Sequence, residues 1–156
     1  MKRFLLLVVL FAATFSSCKK DEGSDYDPEE QLKKDEQIIK DFVAANNLQE
    51  VEREENGIYY IITEPGTGTA TYTANTKVKV KYTGRLLSGT VFDSGTTEFT
   101  LGRVIAGWQL GVPLIQKGGK IRLLVPSGYA YGPYQNGPIP ANSVLDFDIE
   151  LLDVTN

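Results

Sequence analysis

The stretch KVKVKYTG, residues 77–84, decides the fold class. Val78, Val80 and Tyr82 recur at every second position, with Lys77, Lys79 and Lys81 between them. A period of two puts the apolar set on one face of a strand and the lysines on the other. The lysines are then the solvated face of a half-buried strand, not a nucleic-acid patch. Before this stretch, GIYYIIT (57–63) reads as a second strand; after it, KIRLLVP (120–126) and SVLDFDIELLDV (143–154) read as two more, from their β-branched and aromatic content. In the last, Val144, Phe147 and Ile149 cannot share one face in strict alternation, so a bulge or burial on both faces is implied. EPGTGTATYTANT (64–76) is a turn-rich connection. AGWQLGVPLIQKGG (106–119) carries Trp108, Leu110, Leu114 and Ile115 and reads as one short helix. Pro113 forfeits the hydrogen bond to Gln109 and disfavours helix at Val112, which keeps it short. The class is α+β, a curved antiparallel sheet over a short helix.

A second helix precedes the strands. Asp27-Pro28-Glu29-Glu30 has an N-cap, a proline at the first helical position and an acidic capping-box partner. Leu32, Ile38, Ile39, Phe42 and Val43 follow at helical spacings, and Asn46-Asn47 is a stop signal. The spacing predicts an amphipathic helix over 28–49, whose stripe needs cover from the following domain or, in a homodimer, from a second copy.

The chain begins MKRFLLLVVLFAATFSSC, with basic Lys2 and Arg3 and then an apolar run too short to span a bilayer. This reads as a signal peptide over 1–17. Cys18 is the only cysteine and cannot pair within the chain. Its place straight after two serines resembles a bacterial lipoprotein signal, which implies a lipidated Cys18, a tether over 18–27 and an outer-membrane lipoprotein of the cell envelope, periplasmic or surface-exposed. The charged run after Cys18 resembles surface-export signals of some Gram-negative lineages; it also reads as a plain solvated linker. Contact with the membrane is expected through the lipid only.

Losing Lys2 and Arg3 with the leader takes the net charge from −4 to −6. An acidic chain with no basic block is a poor nucleic-acid partner. With no histidine and one committed cysteine, no metal site is expected. There is no GxxxxGK phosphate loop and no GxSxG elbow, which removes most familiar hydrolases and NTP-driven enzymes. No cofactor is expected. What stands out instead is VFDSGTTEFTLGRVIAGWQLG (91–111), where the single tryptophan, two phenylalanines and an aliphatic pair accompany the acid Asp93.

Six motifs, VKVKYTGRL, GTVFDS, FTLGRVIAGWQLG, KGGK, VPSGYAYG and IPANSVLDFDIELLDV, stand in an order and at spacings that resemble FKBP-type peptidyl-prolyl isomerases. The resemblance covers roughly residues 57–154; the expected isomerase domain is 57–155. It implies a strongly bent antiparallel sheet wrapped around one short helix, here with the amphipathic helix in front. It also implies rotation about Xaa-Pro bonds, which needs neither nucleophile nor proton shuttle.

Carried over position by position, the resemblance makes Trp108 the floor under the proline ring. Tyr82, Phe92, Phe99 and Phe147 become walls, with Val104 and Ile105 along one side. The Ile105 N–H would hold a substrate carbonyl, and the Tyr131 hydroxyl the carbonyl next to the proline. Asp93 would be a fixed dipole partner held by Tyr82, not a general base, and Ile139 would close the pocket. Partners implied are proline-containing polypeptides and macrolide inhibitors of the FKBP kind.

Read without the resemblance, Trp108, Phe92, Phe99 and Phe147 are core residues by default, Tyr82 and Tyr131 fit satisfied surface tyrosines, and Asp93-Ser94-Gly95 also fits the start of a turn. The segment 94–98 is shorter than in many members and lacks the arginine often found there, which predicts a less polar rim. The loop YGPYQNGPIPANS (131–143) carries Pro133, Pro138 and Pro140. Two other functions fit the same residues: a non-catalytic chaperone or peptide-binding module of the cell surface, and, less well, a glycan-binding surface domain.

Overall fold

The structure is a computed structural model that describes residues 26–156. The expected signal peptide, Cys18 and all but the last two residues of the tether lie outside the described residues. No helix among the described residues is long and apolar enough to cross a membrane.

Helix α1 is Pro28–Ala45. The Asp27 carboxylate accepts from the Glu29 and Glu30 N–H groups at 2.9 and 3.2 Å, so two of the four unpaired first-turn donors are satisfied. Glu30 turns to Lys34 at 2.7 Å. The helix stops four residues before the expected end, with Asn46 as its C-cap. Its buried face differs from the predicted stripe. Ile39 is fully buried, but Ile38 is exposed, and the other fully buried side chain is Asp35. Ile39 packs with Tyr59, Leu124 and Val144, flanked by Phe42, Val43 and Leu48. The stripe thus covers the outer face of the chain's own sheet.

Six strands form that sheet: β1 (Glu52–Arg53), β2 (Tyr59–Glu64), β3 (Lys77–Leu86), β4 (Val91–Thr100), β5 (Lys120–Val125) and β6 (Leu145–Thr155). Their order is β1-β2-β5-β6-β3-β4, and every neighbouring pair is antiparallel. The two-residue β1 lies before the strand-like region marked by composition. It pairs with β2 through Glu52↔Tyr60 and is pinned to α1 by Arg53, which donates to Glu36 at 2.6 Å. That guanidinium holds the Glu36 carboxyl below its usual range.

Val78 and Val80 are fully buried in β3 while Lys77, Lys79 and Lys81 are exposed, as their alternation requires. Of the two outcomes foreseen for the last strand, burial on both faces is the one that separates Val144 from Phe147 and Ile149, because the register from Leu145 to Leu151 is unbroken and shifts only beyond it. The register shifts between Lys79 and Val80 where β3 meets β6. Leu145, Phe147, Ile149 and Leu151 face the main core, and Val144 joins the α1 side. Asp146, 1% exposed, lies on that outer face, where Arg122 donates to both its oxygens at 2.9 and 2.8 Å and Arg85 donates at 2.7 Å. Phe42 of α1 lies against Arg122, 5.8 Å from its guanidinium carbon. Residues 93–95 do not turn: β4 runs straight through them, Asp93 opposite Gly84 and Gly95 opposite Tyr82.

Helix α2 is Ala106–Gly111, and the chain tightens into a 3-10 turn, Val112–Leu114, around Pro113. Two glycines one helical turn apart bring α2 close to β5. A Cβ at Gly111 would come within 2.6 Å of Leu123, and one at Gly107 would collide with Val125. The 64–76 connection is tied to the segment after α2 by the Tyr72 hydroxyl, which donates to the Ile115 carbonyl at 2.7 Å.

Candidate active site

The close approach of α2 to the sheet sets Trp108 at the centre of the aromatic groups, 4% exposed. Its indole meets Tyr82, Phe99 and Phe147 edge-to-face, with centroids 5.2, 5.6 and 5.5 Å away. Phe147 in turn meets Phe92 edge-to-face at 5.7 Å. Gly84 makes room for that pair, since a Cβ there would stand 2.7 Å from both rings. The positive ring edges point at negative faces, so each contact is favourable beyond its buried area.

These rings line a cavity of about 300 Å³. Nine of the ten residues expected at the pocket line it: Tyr82, Phe92, Asp93, Phe99, Val104, Ile105, Trp108, Tyr131 and Phe147. The tenth, Ile139, does not. It is 4% exposed and belongs to the main core, turned in by a short bridge with Asn136. Arg103 lines the cavity although the sequence analysis did not single it out. The rim therefore has an arginine, supplied by the turn Leu101–Arg103 rather than by segment 94–98. Its position just before Val104-Ile105 is the only signal that pointed to it.

The polar groups at the cavity are few. The Tyr82 hydroxyl donates to Asp93 Oδ2 at 2.7 Å. Burial first, then this bond and the Asp93 charge, push the Tyr82 hydroxyl up to about 12. Its one proton is thus engaged with Asp93. The Tyr131 hydroxyl is raised by burial and by the same carboxylate, so both phenols stay neutral donors. Ile105 caps α2 in an extended conformation, and its carbonyl accepts from Trp108 and Gln109. Among the described residues its own N–H has no backbone or side-chain acceptor. Gln109 Nε2 donates to the Val104 carbonyl at 2.8 Å and holds that turn; sequence reasoning had passed it over. The buried Trp108 Nε1 also has no partner among the described residues.

A second depression, about 420 Å³, lies on the outer face of the sheet. Lys81, Lys120, Arg122, Asp148 and Glu150 line it in a mixture of signs, and Tyr82 is its only aromatic residue. That is the solvated face of the sheet. Among the described residues no group of three or more histidine, cysteine or acidic side chains is placed to hold a metal ion. The aromatic cavity can therefore offer an aromatic and aliphatic enclosure, the Tyr82 phenol held by Asp93, the half-exposed Tyr131 phenol, and a backbone donor with no acceptor among the described residues. Its lining has no serine, cysteine, lysine or histidine side chain.

Residues 68–152 match the family described as FKBP-type peptidyl-prolyl cis-trans isomerase. The chain is 43% identical over 109 residues to the FKBP-type peptidyl-prolyl cis-trans isomerase FkpA of Escherichia coli strain K12, covering 67% of this chain and 40% of that one. It is 43% identical over 137 residues to the FkpA of Aeromonas hydrophila, covering 84% of this chain and 49% of that one. The chain thus spans about half the length, or less, of these relatives. Among solved structures, it resembles a crystal structure of FkpA from Escherichia coli with a TM-score of 0.70 at 36% identity, covering 81% of this chain and 62% of that one. A peptidyl-prolyl cis-trans isomerase from Pseudomonas syringae pv. tomato gives 0.68 at 35% identity and is matched over its whole length, with 86% of this chain covered.

Proposed function

The chain belongs to the FKBP-type peptidyl-prolyl cis-trans isomerases, and from that premise we propose that it isomerises Xaa-Pro bonds in unfolded or extended protein segments of the cell envelope. The observation that carries the reading is the enclosure of Trp108 by Tyr82, Phe99 and Phe147 at the floor of a largely aromatic cavity with Asp93 and Arg103 in its lining. Rotation about an amide is opposed by a barrier of about 18–20 kcal/mol that comes from resonance. In the twisted transition state the conjugation is lost and the group is less dipolar. A dry aromatic cavity favours that state over the planar amide, and each ~1.4 kcal/mol of such preference is worth tenfold in rate.

In this mechanism the proline ring sits on Trp108 between Phe92, Phe99 and Phe147, with Val104 and Ile105 along its side. The free Ile105 N–H takes a carbonyl of the substrate chain. Tyr131 donates to the carbonyl next to the proline. Tyr82 and Asp93 hold each other and set a fixed dipole at the rim. Asp93 moves no proton. A macrolide of the type bound by FK506-binding proteins would occupy the same cavity.

The second reading is a module that holds extended peptides in the same cavity without turning them over. Proline-limited refolding of a client separates the two. Acceleration that saturates with client and is abolished by macrolide supports catalysis; slower refolding with tight client binding supports the holding module.

The remaining parts of the proposal concern placement. Residues 1–17 act as a signal peptide, Cys18 carries lipid, 18–27 tether the chain, and the protein is an outer-membrane lipoprotein, periplasmic or surface-exposed. The mass of the chain extracted from membranes tests this: an unmodified thiol, or a start other than Cys18, refutes it. Homodimerisation through α1 has little to support it, because the stripe already covers the chain's own sheet and only Ile38 of its large apolar residues is exposed.

A further inference from the structure

Asp35 is the one fully buried acid in α1, and the mechanism above does not use it. Burying a carboxylate is costly unless hydrogen bonds replace its water. Here three do. Gln31 Nε2, one helical turn away, donates to Oδ1 at 2.7 Å. The Ser127 N–H and Ser127 hydroxyl both donate to Oδ2, at 2.7 and 2.6 Å. Charge-assisted bonds of this kind are among the stronger ones in proteins.

Ser127 opens the short turn Ser127–Tyr129, which leads directly into Tyr131. Its carbonyl is the acceptor that shapes this loop. Ala130 N–H donates to it at 2.9 Å and Gly132 N–H at 2.8 Å, one on each side of Tyr131. Asn142 N–H then donates to the Gly132 carbonyl at 2.9 Å and ties the far end of the loop back. One serine therefore faces both ways: its N–H and hydroxyl go to Asp35 on α1, and its carbonyl accepts from the residues on either side of the cavity tyrosine. Helix α1 also lies along this turn, with Pro28, Glu29, Leu32, Gly128 and Tyr129 around one shared hollow.

We propose that Asp35 is a positioning residue for Tyr131, so that α1 is part of the scaffold of the catalytic cavity rather than a spacer before the domain. The proposal rests on the isomerase reading only for its kinetic consequence; its structural half stands apart from it. Asparagine at this position retains an oxygen for both Ser127 donors, and Gln31 can rotate its amide to meet the new NH₂ group. Alanine leaves the Ser127 N–H without an acceptor.

The test uses the chain from Cys18 onward, unmodified and as Asp35→Ala, Asp35→Asn, Tyr131→Phe and Asp35→Ala/Tyr131→Phe. Amide hydrogen exchange comes first, because it needs no activity. Asp35→Ala should speed exchange at Ala130 and Gly132 by about tenfold or more, while Leu123 in β5 keeps its protection. In isomerisation of an Xaa-Pro peptide, Asp35→Ala should lower kcat/KM by about tenfold and Asp35→Asn should restore most of it. The double variant should be no slower than Tyr131→Phe alone, since a positioning residue has nothing left to position. Unchanged exchange at Ala130 and Gly132 overturns the proposal, as do kinetic losses that multiply in the double variant. An unmodified chain that shows no isomerisation refutes the function, while the exchange result still decides whether Asp35 orders the loop. Should Asp35→Ala not fold, Ser127→Ala, which deletes one of the three bonds, must give a smaller change of the same pattern; no change overturns the proposal.

Discussion

Trp108→Leu tests the account at the centre of the cavity. The indole makes three edge-to-face contacts, each worth about 0.5–1.5 kcal/mol beyond its area, so roughly 1.5–4.5 kcal/mol is at stake. Two features limit this loss. Leucine refills much of the space, which avoids the full cavity that makes Trp→Ala cost about 3–5 kcal/mol. The buried Nε1 has no protein partner among the described residues, so its removal breaks no hydrogen bond within the protein. The net destabilisation should be about 1–3 kcal/mol, against a typical domain stability of about 5–15 kcal/mol. The variant therefore folds, and urea titration followed by far-ultraviolet circular dichroism measures the change, since the only tryptophan is gone. Catalysis should fall further than this modest loss suggests, by about tenfold or more in kcat/KM, because the flat surface under the proline ring is lost. In the unmodified chain, indole emission should change saturably with an Xaa-Pro ligand or macrolide. A folded Trp108→Leu chain with unaltered kcat/KM, together with emission that ignores a bound ligand, would refute the placement of the proline ring on Trp108.

Asp93→Asn should leave stability within about 1 kcal/mol, because asparagine still offers an oxygen to the Tyr82 hydroxyl. It should slow turnover by only about threefold, through lost orientation; a loss of about a thousandfold would mean that Asp93 transfers a proton after all. The chain has no histidine and its cavity phenols titrate high, so kcat/KM for a peptide should be flat from about pH 6 to about pH 9, and a bell-shaped profile would contradict the mechanism. Tyr82 and Tyr60 are both pushed up to about 12, Tyr60 first by its bond to Glu52. A raised folded-state pKa makes their contribution to stability complete below about pH 10 and progressively lost as pH climbs toward the folded value, because the unfolded chain has already released those protons. Urea midpoints measured across that window should fall; midpoints that hold or rise would contradict the buried phenols.

Local chemistry explains what the sequence made legible. Alternation in 77–84 needs only the pleat of one strand, and Pro113 acts on its own helix, so both were readable without knowing the fold. The cavity set was readable because the family motifs bring nine positions together. What stayed hidden depends on distant partners. Ile38 and Asp35 both sit near the predicted stripe, and helical spacing alone favours the isoleucine. Asp35 is buried because Ser127, 92 residues later in the chain, supplies its donors. Ile139 was placed at the mouth of the pocket, but the bridge with Asn136 turns it into the core. Arg103 reaches the rim only because the chain tightens into a turn after β4. The continuous β4 has no period-two signal in DSGTTE; its pairing with β3 supplies the order that its composition lacks.

The most direct test of the central claim is cis/trans exchange of a short Xaa-Pro peptide with an apolar residue before the proline, followed by exchange NMR with the purified chain at catalytic concentration. Exchange should be far faster than the uncatalysed rate, saturate with peptide, and be suppressed by a macrolide that also shifts Trp108 emission. Exchange that stays at the spontaneous rate, with a folded chain and peptide shown to be bound, would contradict it.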